Sequence, residues 1–252
     1  MFDLKGKVAV VTGGNGGIGL GMARGLAAAG AQIVIAARNR EKSRAAVAEI
    51  ERRGGTAIAV EVDVSSEASV DAMTKATTDR LGRLDILVNN AGINIRKPAH
   101  ELAFDEWRRV LDTNLTSAFL CSRAAYPAMK RAGGGKVINI GSMMSIFGAP
   151  FAPAYGASKG GIVQLTKSLA TTWARDNIQV NAVLPGWIDT ELTQQARREV
   201  AGLNDMVLRR TPAGRWGIGE DMAGIAVFLA SAASDFITGA AIPVDGGYSI
   251  QA

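Results

Sequence analysis

One cysteine and one histidine in 252 residues leave little room for metal chemistry or covalent cross-links. A zinc site typically draws about three or four ligands from Cys, His and carboxylates, and an internal disulfide needs a pair of cysteines. Neither demand can be met in the usual way, so no metal is expected and the chain reads as reduced and cytoplasmic. Aromatic residues are only 6% of the chain, and the tryptophans, Trp107, Trp173, Trp187 and Trp216, are too scattered to form a base-stacking row. No run of like charges builds a basic arm, which argues against nucleic acid as a partner. Long apolar runs are missing too. A membrane span needs roughly 18 consecutive apolar residues, and the best stretch, Gly224 to Ala233, falls well short. The opening Met1-Phe2-Asp3-Leu4-Lys5 turns acidic at once, unlike a secretory signal. No membrane association is expected.

What is present is ordinary for a soluble globular protein: 48% hydrophobic and 20% charged residues, with a net charge of +5. The dispersed basic excess is compatible with an anionic ligand. A unit recurs along the chain: a short Val/Ile run, a turn, then a helix-period segment. Strands are expected at Val8 to Val11, Gln32 to Ala36, Ala57 to Val60, Asp85 to Val88, Lys136 to Ile140, Ile178 to Ala182 and Ala241 to Val244. Helices are expected over Gly17 to Ala29, Arg40 to Arg52, Glu67 to Leu81, Phe104 to Lys130 and Tyr155 to Ala174. The strands are apolar throughout, without the alternation of a sheet that has one wet face. Such strands are buried on both sides, as in a parallel α/β sheet. The expectation is one doubly wound, parallel, seven-stranded domain over 1–252, with helices on both faces (a Rossmann fold). Asp189 to Gly219 fits the pattern least and reads as a cover over a site at the sheet edge.

Thr12-Gly13-Gly14-Asn15-Gly16-Gly17-Ile18-Gly19 joins the first strand to the first helix. Glycines there permit a tight turn and bring backbone N–H groups up to a pyrophosphate at a helix N-terminus. In the plain dinucleotide pattern a carboxylate ends the second strand and holds the ribose 2′-hydroxyl. Here the strand ends Ala36-Ala37-Arg38-Asn39-Arg40, with no acid. Arg38 offers a forked donor to a 2′-phosphate, with Arg40 as a second contact, which favours NADP and leaves NAD as the alternative. Both arginines could instead simply begin a solvated helix. Asp63 and Val64 follow the third strand and suit the adenine edge, although Asp63 could equally cap a turn.

Tyr155 and Lys159 are one helical turn apart on the same face. A tyrosine of ordinary pKa, about 10, is a poor base near neutrality, and a neighbouring ammonium is expected to pull it down. Ser142 falls just past the fifth strand, at the edge where open parallel sheets bind ligands. A hydroxyl donor beside an ionisable tyrosine suits the interconversion of a carbonyl and an alcohol.

With these residues in view, the whole chain resembles the classical short-chain dehydrogenase/reductase family. The family's cofactor motif matches Thr12, Gly13, Gly17, Ile18 and Gly19, and Asn89-Asn90-Ala91-Gly92 matches its signature after the fourth strand. The resemblance implies a catalytic tetrad of Asn114, Ser142, Tyr155 and Lys159, and cofactor contacts from Asn15, Asn90, Ala91, Gly92, Pro185, Gly186, Ile188 and Thr190. It implies that Tyr155 exchanges the proton, Ser142 holds the substrate oxygen, Lys159 holds the nicotinamide ribose and Asn114 anchors a relay water. It also implies homotetramers. A narrower likeness to bacterial gluconate 5-dehydrogenases and 2-deoxy-gluconate 3-dehydrogenases lies in Asn94-Ile95-Arg96-Lys97, Ser142-Met143-Met144-Ser145 and Arg210 to Gly217. Arg96 would meet a carboxylate and Ser145 a hydroxyl, with Asn94 and Trp187 nearby. Met143, Met144, Ile146, Phe147, Phe151 and Trp187 would suit an apolar cyclic or aryl ketone instead. A small-molecule sugar acid or polyol is the first expectation, and an apolar ketone the second. A 3-oxoacyl-[acyl-carrier-protein] reductase shares the motifs, and a non-catalytic nucleotide sensor ranks last because Tyr155 and Lys159 are both present.

Overall fold

The computed structural model describes residues 1–251, arranged on one parallel sheet in the order β3-β2-β1-β4-β5-β6-β7. The strands are β1 (Val8–Thr12), β2 (Gln32–Ala37), β3 (Thr56–Glu61), β4 (Ile86–Asn89), β5 (Gly135–Ile140), β6 (Ile178–Pro185) and β7 (Ala241–Val244). The helices are α1 (Gly17–Ala28), α2 (Arg40–Arg52), α3 (Glu67–Leu81), α4 (Phe104–Leu111), α5 (Ser117–Arg131), α6 (Pro153–Trp173), α7 (Glu191–Glu199), α8 (Leu203–Arg210) and α9 (Ala223–Ala230).

The apolar strands have the double burial their composition demands. In β1, Val8 and Val10 pack on one face with Val70 and Met73 of α3 and Leu120 and Cys121 of α5. Ala9 and Val11 pack on the other with Met22 and Leu26 of α1, Ile50 of α2 and Leu229 of α9. Burial in that apolar layer pushes the Cys121 thiol up to about 12, so it is a small hydrophobe and a poor nucleophile. At the lower end of the sheet, buried Asp85 precedes β4, its carboxylate accepting the Val8 N–H at 3.0 Å and Arg83 Nε at 2.7 Å.

Strand order reverses at β1, which pairs with β2 on one side and β4 on the other. The diverging connections leave a crevice above the C-terminal strand ends, the standard place for a ligand in such a sheet. The expected helix over Phe104 to Lys130 is interrupted. A wide π-type turn, Asp112–Thr116, separates α4 from α5 and carries Asn114. Its extra residue lets the Asn114 amide grip the Ile93 backbone twice, at 2.8 and 2.9 Å. Residues 189–219 fold as α7, α8 and a returning loop. That loop is tied to the end of β6 by Gly217 N–H to Trp187 O at 2.9 Å and Asp189 N–H to Gly217 O at 2.8 Å. Among the described residues no helix is long and apolar enough to cross a membrane.

Helix α1 lies against the turn before α9 with almost no space between the backbones. A Cβ on Gly21 would stand 1.9 Å from the Gly219 carbonyl oxygen. Because a backbone carbonyl cannot swing aside like a side chain, Gly21→Ala is expected to cost on the order of 1–3 kcal/mol. Urea denaturation measures this, and an unchanged midpoint would mean that α1 and α9 can separate freely.

Candidate active site

A cleft of about 490 Å³ opens above the strand ends and is lined by residues from the glycine turn, the end of β2 and the segments that follow β4, β5 and β6. Its first wall is the glycine turn, from which Gly13, Asn15, Gly17 and Ile18 face the cleft. Gly17 has a φ of +51°, and a Cβ there would meet Thr190 Cγ2 at 2.9 Å. Asn15 Nδ2 donates to Ser43 Oγ at 3.2 Å, fixing the turn to α2. Thr12 and Gly19 frame this wall from behind. Thr12 Oγ1 donates to Val88 O at 3.2 Å and accepts from the N–H groups of Asn90 and Ala91 at 3.0 and 3.1 Å. Asn90, Ala91 and Gly92 follow β4 into the lining, as Pro185, Gly186, Ile188 and Thr190 do beyond β6.

At the end of β2, Arg38 lines the cleft and has no carboxylate within ion-pair distance among the described residues. Arg40 is outside the lining and pairs with Glu61 on β3. At this end of the lining Arg38 is joined by Lys42, whose Nζ meets Glu191 Oε1 at 2.6 Å. Asp63 and Val64 do not reach the cleft. The Asp63 carboxylate accepts from Ser65 N–H at 3.0 Å and Ser65 Oγ at 2.7 Å, closing the turn before α3, and Val64 is buried in the core. Those Ser65 bonds, helped by the Arg38 charge, hold Asp63 below the usual carboxylate range.

Tyr155, Lys159 and Ser142 converge at the centre of the cleft. Lys159 Nζ donates to the Ile140 carbonyl at 2.7 Å and stands 5.6 Å from the Tyr155 ring centroid. Burial pushes its ammonium down to about 8. Burial also raises the Tyr155 phenol above its ordinary value, against the opposing influence of Ser142 and the Arg96 charge. Desolvation therefore sets the direction of the Tyr155 shift, opposite to the lowering expected from a neighbouring ammonium. Asn114 sits behind the cleft wall. Besides gripping Ile93, its Nδ2 donates to Ser158 Oγ at 3.0 Å, and Ser158 Oγ donates to Tyr155 O at 2.7 Å. Ser145 is likewise engaged within the protein. It accepts from Ser142 N–H at 3.2 Å and donates to Lys159 O at 2.7 Å, bracing two site residues against each other. Ser158 has no conspicuous motif of its own; its position one turn beyond Tyr155 is the signal that could have found it.

The substrate end is lined by Asn94, Arg96, Met143, Met144, Phe151 and Trp187. Ile146 is exposed, and Phe147 packs against Tyr248 away from the lining. The Arg96 side chain is 9% exposed, with Nη1 on Glu199 Oε2 and Nη2 on Leu192 O, each at 2.9 Å. It thus faces the cleft while holding α7, and its charge reaches Tyr155. Trp187 meets Trp216 edge-on at 5.6 Å, and Arg197 of α7 covers Trp216 at 4.4 Å.

Residues 13–249 match a family model described as enoyl-(acyl carrier protein) reductase. The 2-dehydro-3-deoxy-D-gluconate 5-dehydrogenase of Formosa agariphila is 43% identical over 248 residues, covering 98% of this chain and 94% of that protein. The 5-keto-D-gluconate 5-reductase of Escherichia coli is 41% identical over 247 residues, covering 98% of this chain and 97% of that protein. A crystal structure of gluconate 5-dehydrogenase from Burkholderia cenocepacia, in complex with NADP and tartrate, superposes with a TM-score of 0.94. It is 42% identical and covers 100% of this chain and 98% of that one.

The shifted pair makes stability depend on alkaline pH with a definite sign. Folded Lys159 gives up its proton near pH 8, while an unfolded lysine keeps it to about 10.5. Between those values the unfolded state binds more protons, so stability rises with pH. Beyond about pH 10 the raised Tyr155 acts oppositely, because the unfolded tyrosine ionises first. Urea midpoints are expected to rise from about pH 8 toward pH 10, with the rise diminished in Lys159→Met; identical slopes in both proteins would refute the assignment.

Proposed function

Since the chain belongs to the short-chain dehydrogenase/reductase family, a membership resting on matches along nearly its whole length, we propose that its substrate is a sugar acid and its nucleotide NADP. Its reaction class is that of the nicotinamide-dependent oxidoreductases acting on CH–OH or carbonyl groups. The observation that carries the substrate reading is Arg96, an almost buried guanidinium in the cleft whose charge reaches Tyr155. A forked donor at that depth suits a carboxylate at the far end of a short polyol. The relatives from Formosa agariphila and Escherichia coli are named for sugar-acid substrates, in accord with this reading.

The residues present fit a dinucleotide. Gly17 adopts a left-handed turn that a side chain would fill, Arg38 is a cation at the ribose end with no ion pair among the described residues, and Lys159 is a buried ammonium beside Tyr155. When bound, the nicotinamide accepts or supplies the hydride. In reduction, neutral Tyr155 donates its proton to the carbonyl oxygen while the Ser142 hydroxyl hydrogen-bonds that oxygen. In oxidation, Tyr155 must first lose its own proton, and its raised pKa makes that direction faster at alkaline pH. Lys159 stabilises the phenolate, and Asn114 keeps the neighbouring backbone in place through Ile93 and Ser158.

A second reading, an apolar cyclic ketone, is favoured by the wall of Met143, Met144, Phe151 and Trp187 and by the engagement of Arg96 with Glu199. Residues 189–219 act as the cover in either case. We also propose a homotetramer, supported by the exposed Phe104, Phe119 and Phe236 on α4, α5 and the approach to β7, and a cytoplasmic location, in accord with the single cysteine.

Initial rates test this, with NADP and NAD in parallel on gluconate and with NADPH and NADH in parallel on 5-ketogluconate, a cyclic ketone and an acetoacetyl thioester. Turnover of the sugar acid with NADP is expected. Tyr155→Phe should lower kcat by about 10²- to 10⁴-fold. Arg96→Leu should raise KM for a sugar acid much more than for a neutral polyol. Turnover confined to the cyclic ketone would establish the second reading.

A further inference from the structure

We propose that Lys42 is a specificity-determining contact for the nucleotide 2′-phosphate, and that Glu191 on α7 is the internal anion this phosphate displaces. The inference rests on the reading that the end of β2 receives the adenosine ribose. Arg38 lies just beyond β2, and Lys42 lies one turn later, in the first turn of α2. Both line the cleft, whereas Arg40 between them is turned to Glu61. The Lys42 backbone is held by the α2 cap, its N–H donating to Asn39 Oδ1 at 2.9 Å. Its ammonium is thereby delivered to the mouth of the cleft from a fixed Cα.

There it meets a carboxylate from 149 residues away, Glu191 Oε1 at 2.6 Å. The two side chains are 50% and 83% exposed, so the pair adds little to folding and breaks easily. A phosphate carries up to about two negative charges and several acceptor oxygens, against a single charge on a carboxylate. Next to Arg38 it is the stronger partner for Lys42. The Asp63 carboxylate, which also feels Arg38, is already engaged by Ser65 and does not compete for Lys42. A ribose 2′-hydroxyl carries no charge, so NAD has no means of drawing Lys42 from Glu191. Discrimination therefore has two parts: attraction by Arg38 and Lys42, and an opposing cost set by Glu191.

The displacement also reaches the cover. Glu191 is the first residue of α7 and follows Thr190, which packs against Gly17 of the phosphate turn. Breaking its pair with Lys42 frees one end of α7 while Arg96 continues to hold Leu192 O and Glu199.

The test is fluorescence titration of the intact protein with NADPH and with NADH. Lys42→Met should weaken NADPH about five- to tenfold and leave NADH within twofold. Glu191→Gln should tighten NADPH about two- to fivefold without tightening NADH. In the double variant that tightening should disappear, since no ammonium is left to release. Glu191→Gln that weakens NADPH or leaves it unchanged would overturn the proposal, as would Lys42→Met that weakens both nucleotides equally. Arg38→Leu separates the two levels. If it leaves the NADPH-to-NADH preference intact, the placement of the ribose is wrong. If it abolishes the preference while Lys42→Met does nothing, only the role of Lys42 falls.

Discussion

A single hydroxyl closes the seam on which the site is built. Where the sheet changes direction, β1 and β4 run side by side but their continuations diverge, and the backbone groups just beyond the strands lose their ladder partners. Thr12 Oγ1 spans that seam, donating to β4 at Val88 and accepting from Asn90 and Ala91. Asn90 answers by donating to the carbonyls of Thr12 and Gly13 at 3.0 and 3.1 Å. Buried backbone groups without partners are costly, so this reciprocal set fixes the glycine turn relative to the β4 end. The crevice exists because the connections diverge, and it keeps its shape because Thr12 and Asn90 hold its two lips.

A second polar chain carries that order to the catalytic helix. Inside the sheet, Asn89 Nδ2 donates to Asn139 Oδ1 at 2.8 Å, and Asn139 Nδ2 donates to Thr166 on α6 at 2.9 Å. Farther up α6, Ser145 and Ser158 brace Lys159 and Tyr155 through their main-chain carbonyls. This bracing acts on the backbones of the two residues, so it does not consume the Tyr155 hydroxyl or the Lys159 ammonium. Small buried hydroxyls suit this work, since each can donate to one strand or helix while accepting from another.

The strand runs were legible because double burial leaves an unmistakable composition, and the glycine turn because few residue types tolerate a left-handed φ. Tyr155 and Lys159 were legible from helical spacing taken together with the glycine turn and the strand-end Ser142. The interruption at Asp112–Thr116 was not, because its cause is the Ile93 backbone, which approaches Asn114 only in the folded chain. The bracing contact of Ser145 was illegible for a related reason: its spacing places it by the site but does not say that Lys159 O is its partner. Asp63 could be a ligand or a turn-closing residue by sequence, and the fold shows the turn-closing contacts, with Ser65 two positions on. Arg40 and Lys42 are both basic and both near the end of β2. Only the fold, by placing Glu61 beside one and the cleft beside the other, tells them apart.

The cations of the cleft share a pattern that bears on how it works. Arg38 has no ion pair among the described residues, but Lys42 and Arg96 each hold a carboxylate of α7, Glu191 at one end and Glu199 at the other. One short helix thus offers an anion to each end of a cleft whose proposed ligands are anionic at both ends. Such internal partners keep two cations from facing each other across an empty polar space, where repulsion and desolvation would both be unfavourable. They also make α7 sensitive to what binds, because a ligand anion that takes either cation removes one of the contacts holding that helix. The exposed Lys42–Glu191 pair is the weaker of the two, and the nearly buried Arg96 also grips the backbone at Leu192. The phosphate end of α7 is therefore held by the weaker of the two ion pairs, and the substrate end by the stronger.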